Sequence, residues 1–146
     1  MNKNIPVLLK IEKLGKLYHD ENSETTAIDE INLNILEKEF ISIVGPSGCG
    51  KSTLLSILSG LEKKSKGNIK LNENLKIGYM LQKDSLFPWR TVLENCLIGL
   101  EISNSLNKES KERVLNLLET YGLKDFIDKY PDSLSGGMKQ RVACII

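Results

Sequence analysis

Cysteine is scarce and poorly placed for crosslinking: Cys49, Cys96 and Cys144 are odd in number, widely spaced and without a CxxC pair. That excludes a disulfide framework or a cysteine-ligated zinc site and suits a reducing compartment. Histidine occurs once, as His19 in the polar run HDENSE, and reads as a solvated loop residue. Neither charge sign dominates, with 20 Lys plus Arg against 19 Asp plus Glu and a net charge of +1, which gives no support to a nucleic-acid partner. Long apolar runs are also lacking. The two longest, 40–44 and 142–146, fall far short of a membrane span. The opening MNKNIPVLLKIEKL has no small-residue cleavage site, so no signal peptide is expected. There is no internal repeat and no low-complexity linker. What remains, 146 residues with 40% hydrophobic and 27% charged, suffices for one cored intracellular domain.

Alternation and β-branching predict strands over 7–14 and from Ile28 to Ile35, the second with Leu33 and Ile35 on one face and Asn32 and Asn34 on the other. FISIV at 40–44 has the composition of a strand buried on both faces. Two further short strands are expected at 67–71 and 76–81, around an Asn72-Glu73-Asn74 turn. Leu54, Ile57, Leu58 and Leu61 fall at helical spacing, with Gly60 near the stop. From residue 91 the pattern turns helical. Thr91 and Glu94 have capping-box spacing for a helix to about Leu100. Residues 108–121 form an amphipathic helix, and 123–130 a short helical turn stopped by Pro131. Ser135 reads as the cap of a last helix still running at Ile146.

Between the FISIV run and the first helix lies Gly45-Pro46-Ser47-Gly48-Cys49-Gly50-Lys51-Ser52, which fits G-x-x-x-x-G-K-[ST] in its required strand–loop–helix context. Glycines let such a backbone fold into a nest of N–H groups aimed at phosphate oxygens, and the helix N-terminus adds its dipole. Lys51 can neutralise β- and γ-phosphates, and the Ser52 hydroxyl can ligate Mg²⁺. A chance Gly-rich turn is the bland alternative. Cys49 contributes only backbone here and is given no redox role. Later, YPDSLSGGMKQR contains Leu134-Ser135-Gly136-Gly137 before a polar helix start. Ser135 as N-cap and two glycines expose N–H groups at a positive helix end, a second phosphate site, unless SGG is merely a capped turn.

On these two motifs the chain resembles the ATP-binding cassette (ABC) family. The fold that resemblance implies is an α/β P-loop core with an N-terminal antiparallel β portion and a helical subdomain near 91–134, the whole 1–146 being part of one nucleotide-binding domain. It implies MgATP held by residues 45–53, Thr53 included, with Lys51 and Gln82 as catalytic residues and Ser52 and Gln82 on the metal. Gln82 stands where the family has its Q-loop glutamine, although a polar residue at a strand end needs no such role. Tyr18, just past the first strand, stands where the family has an aromatic stacked on adenine, although a structural Tyr fits equally. Ser135, Gly136 and Gly137 would clamp the nucleotide of a second ATPase subunit in a head-to-tail dimer.

The stretch Ser85-Leu-Phe-Pro-Trp-Arg-Thr-Val-Leu-Glu-Asn95 is similar to the ATPases of nitrate, sulfonate and taurine importers, with polyamine and thiamine-precursor importers carrying related segments. In that family the region faces an integral membrane permease, which places Phe87 and Trp89 at the contact and the chain on the cytoplasmic face of the membrane. A local hydrophobic staple is the alternative for those rings. The resemblance runs through the whole chain but covers only the earlier part of the family's domain. The Walker B Asp, the catalytic Glu and the switch His have no counterparts, so the chain is expected to be truncated after the signature and to hydrolyse ATP weakly or not at all. A non-hydrolytic remnant binding nucleotide or permease, and a soluble ABC ATPase of repair or translation, are the other readings.

Overall fold

A computed structural model describes residues 6–21, 23–73, 75–82 and 85–146; the first five residues and Asn74, on which readings above fall, lie outside them. The chain divides into two compact units, Met1–Tyr79 and Met80–Ile146.

The first unit is built on an antiparallel sheet in the order β2-β1-β3. Strand β1 (Val7–Asp20) pairs along its length with β2 (Ser23–Leu36) and on its other edge with β3 (Lys66–Leu71). Both long strands overrun the predicted segments. Register shifts between Ile11 and Leu17, with Lys13 at φ 51°, break the alternation and let one strand continue past the break. In β2 the predicted two-faced pattern is present, with Leu33 and Ile35 half-buried and Asn32 and Asn34 exposed. Helix α1 (Lys51–Leu58) lays Leu54 and Ile57 against Leu9, Ile11, Leu14 and Ile28. Each such side chain taken from water is worth about 1.5–3 kcal/mol, so six of them make the core that seats α1 on the sheet. The helix stops next to Gly60, as expected. Ser59 closes its last turn, and Leu61 lies beyond it, 68% exposed.

Two predicted strands are corrected. Residues 40–44 form no strand: Phe40 is 94% and Val44 90% exposed, and no ladder partner exists for them among the described residues. Residues 76–81 are likewise irregular. Apolar, β-branched composition favours an extended chain, but a strand also needs a neighbour to take its N–H and C=O groups.

The second unit is helical. Helix α2 (Val92–Ile102) opens on the predicted capping box: Thr91 Oγ1 accepts from Glu94 N (3.3 Å), and Glu94 Oε2 accepts from Thr91 N (2.7 Å). Helix α3 (Lys108–Thr120) has its own box, made by Asn107 and Ser110. Lys124–Phe126 forms a 3₁₀ turn, and Pro131 begins a second one (Pro131–Ser133) rather than ending an element, since a ring-fixed φ suits a first helical position. Helix α4 (Gly136–Ile145) is capped by Ser135, whose hydroxyl accepts from Met138 N. Val92, Cys96, Leu97, Val114, Leu118, Leu123, Leu134 and Val142 form this unit's core. Among the described residues no helix is long and apolar enough to cross a membrane.

Candidate functional site

The loop is exposed over 45–49 and runs through half-buried Gly50 into α1, with Gly48 at φ 80° and Gly50 at φ 89°. Gly50 is required twice over. Its φ lies in the left-handed region, and an added Cβ would overlap the Ala27 carbonyl oxygen of β2. That close approach seats the loop against the hairpin at a defined place. Ile28 of β2 is paired with Lys16, and Thr26 with Leu17, so Ala27 lies across from the stretch of β1 that leads into Tyr18. The loop and Tyr18 therefore belong to the same end of one sheet.

Lys51 turns back into the loop. Its Nζ donates to Gly45 O (2.9 Å) and Pro46 O (2.6 Å) and lies 3.4 Å from Cys49 Sγ. Behind it the first turn of α1 has no acidic side chain and no side-chain cap, so its N–H groups and the ammonium together make a positive, anion-accepting concavity. Ser52 is exposed in that turn and its hydroxyl has no hydrogen-bond partner among the described residues; Thr53 beside it is half-buried. A hydroxyl oxygen suits Mg²⁺, which keeps waters and shares phosphate oxygens instead of demanding a full protein cage. Among the described residues no cluster of three or more His, Cys, Asp or Glu side chains could hold a metal ion.

Tyr18 is 39% exposed near the end of β1. Its hydroxyl donates to Glu62 Oε2 (2.7 Å), and Lys16 Nζ lies over its ring, 4.7 Å from the centroid. Glu62 and Lys16 were not anticipated from the sequence; a charge run such as Glu62-Lys63-Lys64 reads as solvated surface.

The remaining candidates sit in the second unit. Gln82 is exposed, just before residues outside the described set. Ser135, Gly136 and Gly137 are exposed at the N-terminus of α4, with open space where either glycine would carry a Cβ. Arg141, one turn further, donates to Tyr121 O (2.7 Å) and so ties α4 to the end of α3.

Phe87 and Trp89 meet edge-on, with centroids 5.2 Å apart and planes at 62°. Trp89 is 71% exposed, which does not suit a staple onto α2. The loop is held instead by Asn95, which is fully buried. Its Oδ1 accepts from Phe87 N (2.8 Å), and its Nδ2 donates to the carbonyls of Phe87 (3.1 Å), Arg90 (3.0 Å) and Thr91 (2.9 Å). Sequence reasoning gave Asn95 no role. Its spacing could have found it, because Val92, Asn95 and Cys96 share the buried face of α2.

A family model described as ABC transporter matches residues 28–145. An uncharacterized ABC transporter ATP-binding protein of Bacillus subtilis, YtlC, is 45% identical over 141 residues, covering 92% of this chain and 54% of its own length. A second, MJ0412 of Methanocaldococcus jannaschii, is 41% identical over 143 residues, covering 94% and 54%. Among solved structures, the ATP-binding cassette MJ0796, a dimer in a post-hydrolysis state bound to ADP and Pi, matches with TM-score 0.82 at 33% identity, over 94% of this chain and 67% of that one. The chain thus spans about half the length of the curated relatives it matches.

Proposed function

This chain belongs to the ABC transporter family, whose model covers most of its length, and from that premise we propose that it is the ATP-binding part of an ABC importer, coupling ATP binding and hydrolysis to solute uptake. The observation that carries the reading is the loop 45–50 entering α1 with Gly48 and Gly50 left-handed and Lys51 turned into it. Residues 45–53 hold the triphosphate, with Lys51 exchanging its loop carbonyls for phosphate oxygens. Tyr18 stacks on the base. Ser52 and Gln82 hold Mg²⁺, which supplies charge neutralisation on the phosphates when bound. Ser135, Gly136 and Gly137 offer their N–H groups to the nucleotide of a second ATPase subunit in a head-to-tail dimer; that MJ0796 is dimeric supports a second subunit. The domain reading follows: 1–146 as part of a nucleotide-binding domain, its helical portion near 91–134.

The finer reading is an importer of the nitrate, sulfonate or taurine class, with the Phe87–Trp89 loop docked on a membrane permease at the cytoplasmic face. It rests on the segment 85–95 and on a large exposed aromatic held in a clamped loop. The 146 residues supply groups that hold phosphate, and none of their acidic side chains is assigned to polarising an attacking water. A protein limited to them is proposed to bind MgATP with little or no turnover.

Titration calorimetry with MgATP on wild type and Lys51→Ala tests the core of the proposal. Saturable binding that Lys51→Ala weakens at least tenfold supports it; no binding by wild type, or equal binding by both, refutes it. For the docking reading, co-purification with the membrane subunit should fall for Trp89→Ala while MgATP affinity holds.

A further inference from the structure

The proposed role of Tyr18 leaves open what keeps its ring in a stacking pose near the exposed end of β1. Three contacts do so, and all come from one segment and one neighbour. Glu62 Oε2 accepts the Tyr18 hydroxyl (2.7 Å), Glu62 Oε1 pairs with Lys16 Nζ (3.0 Å), and that ammonium lies 4.7 Å above the ring. Lys16 Nζ also donates to Lys63 O (2.9 Å), and Ser65 Oγ both accepts from Leu17 N (3.0 Å) and donates to Leu17 O (3.2 Å). The Lys16 side chain is only 13% exposed, an unusual burial for a lysine. The triangle is thus closed at the hydroxyl and on one face.

We propose that Lys16 and Glu62 are positioning residues that fix Tyr18 as a one-faced platform for a nucleotide base; the inference rests on the reading that Tyr18 stacks. An ammonium at 4.7 Å fills the shell, about 4.5–7 Å from the centroid, that a stacked ring needs. The base is therefore confined to the opposite face. The Glu62 hydrogen bond sets the ring's azimuth and removes side-chain freedom that binding would otherwise have to quench. Glu62 lies just beyond α1, so the segment leaving the phosphate-binding helix also orients the platform. The carboxyl of Glu62 is held below the ordinary range by the Tyr18 hydroxyl and by Lys16.

The test uses the 146-residue chain and two probes with Mg²⁺: ATP, and inorganic tripolyphosphate, which has no base. Tyr18→Phe and Glu62→Ala are each expected to weaken ATP binding about three- to tenfold, a fraction of what a full base stack contributes, with tripolyphosphate binding unchanged. The double variant should be no weaker than either single one. Glu62→Gln, which keeps an acceptor oxygen for the hydroxyl, should restore most of the affinity. Wild-type ATP affinity in both Tyr18→Phe and Glu62→Ala, alongside a loss in Tyr18→Ala, overturns the positioning role and leaves stacking intact. An equal fall in tripolyphosphate binding also overturns it, by showing an effect on the unit as a whole. Unaltered ATP affinity in Tyr18→Ala would instead remove the stacking reading itself.

Discussion

Replacing Asn95 by alanine should loosen the Phe87–Thr91 loop, and the structure sets the size of the effect. Asn95 makes four side-chain hydrogen bonds, but two of its partners are also satisfied elsewhere. The Phe87 carbonyl also accepts from Arg90 N (3.1 Å), and the Thr91 carbonyl from the backbone N of residue 95 (2.9 Å), a bond that alanine keeps. The Phe87 N–H and the Arg90 carbonyl have no other partner among the described residues. Two orphaned backbone groups at about 1–3 kcal/mol each give a loss of roughly 2–6 kcal/mol, at the low end if water reaches them. In a unit of this size that lowers the melting temperature by about 10 °C or more. Trp89 is the only tryptophan of the chain and lies in the clamped loop, so its fluorescence anisotropy reports the loop directly below the transition. Asn95→Asp should be no better than alanine, because it loses the donors and turns a negative charge toward three carbonyls. A stability loss under about 0.5 kcal/mol, the range of an ordinary surface substitution, with unchanged Trp89 anisotropy, would refute the reasoning.

Gly50→Ala is expected to unseat the phosphate loop from Ala27 and abolish MgATP binding in calorimetry, whereas Gly60→Ala, with open space at its Cβ, should cost stability but spare binding. Burial pushes the Cys96 thiol up to about 12, so at pH 8 a thiol reagent should modify Cys49 and Cys144 rapidly and Cys96 only after denaturant is added; a third fast equivalent in the folded chain would contradict its burial. The Glu94 carboxyl is held below its ordinary 4.5, first by the Thr91 N–H and then by the Thr91 hydroxyl. Its stabilisation of α2 is therefore present above pH 4.5 and lost as pH falls through the folded value. Helicity followed by circular dichroism should drop on acidification in wild type more than in Glu94→Gln. With Phe40 and Val44 almost fully exposed, Phe40→Ser with Val44→Lys should reduce self-association of the 146-residue chain in light scattering, and equal scattering would argue against that segment as its origin.

What could be read in advance follows the range of the interaction involved. Thr91 with Glu94, Ser135 before Gly136, and the glycines of 45–50 act within a few residues, so their spacing announces the geometry. FISIV shows the limit of such reading. Hydrophobicity and β-branching are local properties, while pairing depends on a second segment that composition cannot supply; the run was expected to be buried and is exposed. Asn95 entered only as the last residue of the stretch 85–95, although its position among Val92 and Cys96 marks the inner face of α2. Lys16 and Glu62 stand 46 positions apart in number and meet only through the packing of α1 on the sheet, so no pattern along the chain could join them.

If Lys51 holds phosphate as proposed, its inward turn would make phosphate capture a ligand-exchange reaction. The ammonium is already solvated by two backbone carbonyls, so an incoming anion must outcompete neutral oxygens held 2.6–2.9 Å away. Net hydrogen bonds to a charged group are worth about 1.5–3 kcal/mol, and a weakly charged solute gains too little to displace them. A triphosphate brings several formal charges and repays the exchange, whereas a nucleoside without phosphate has nothing to offer the lysine. On that reading the resting contact would act as a charge threshold: it would set a minimum anionic strength for entry and make affinity climb from mono- to di- to triphosphate.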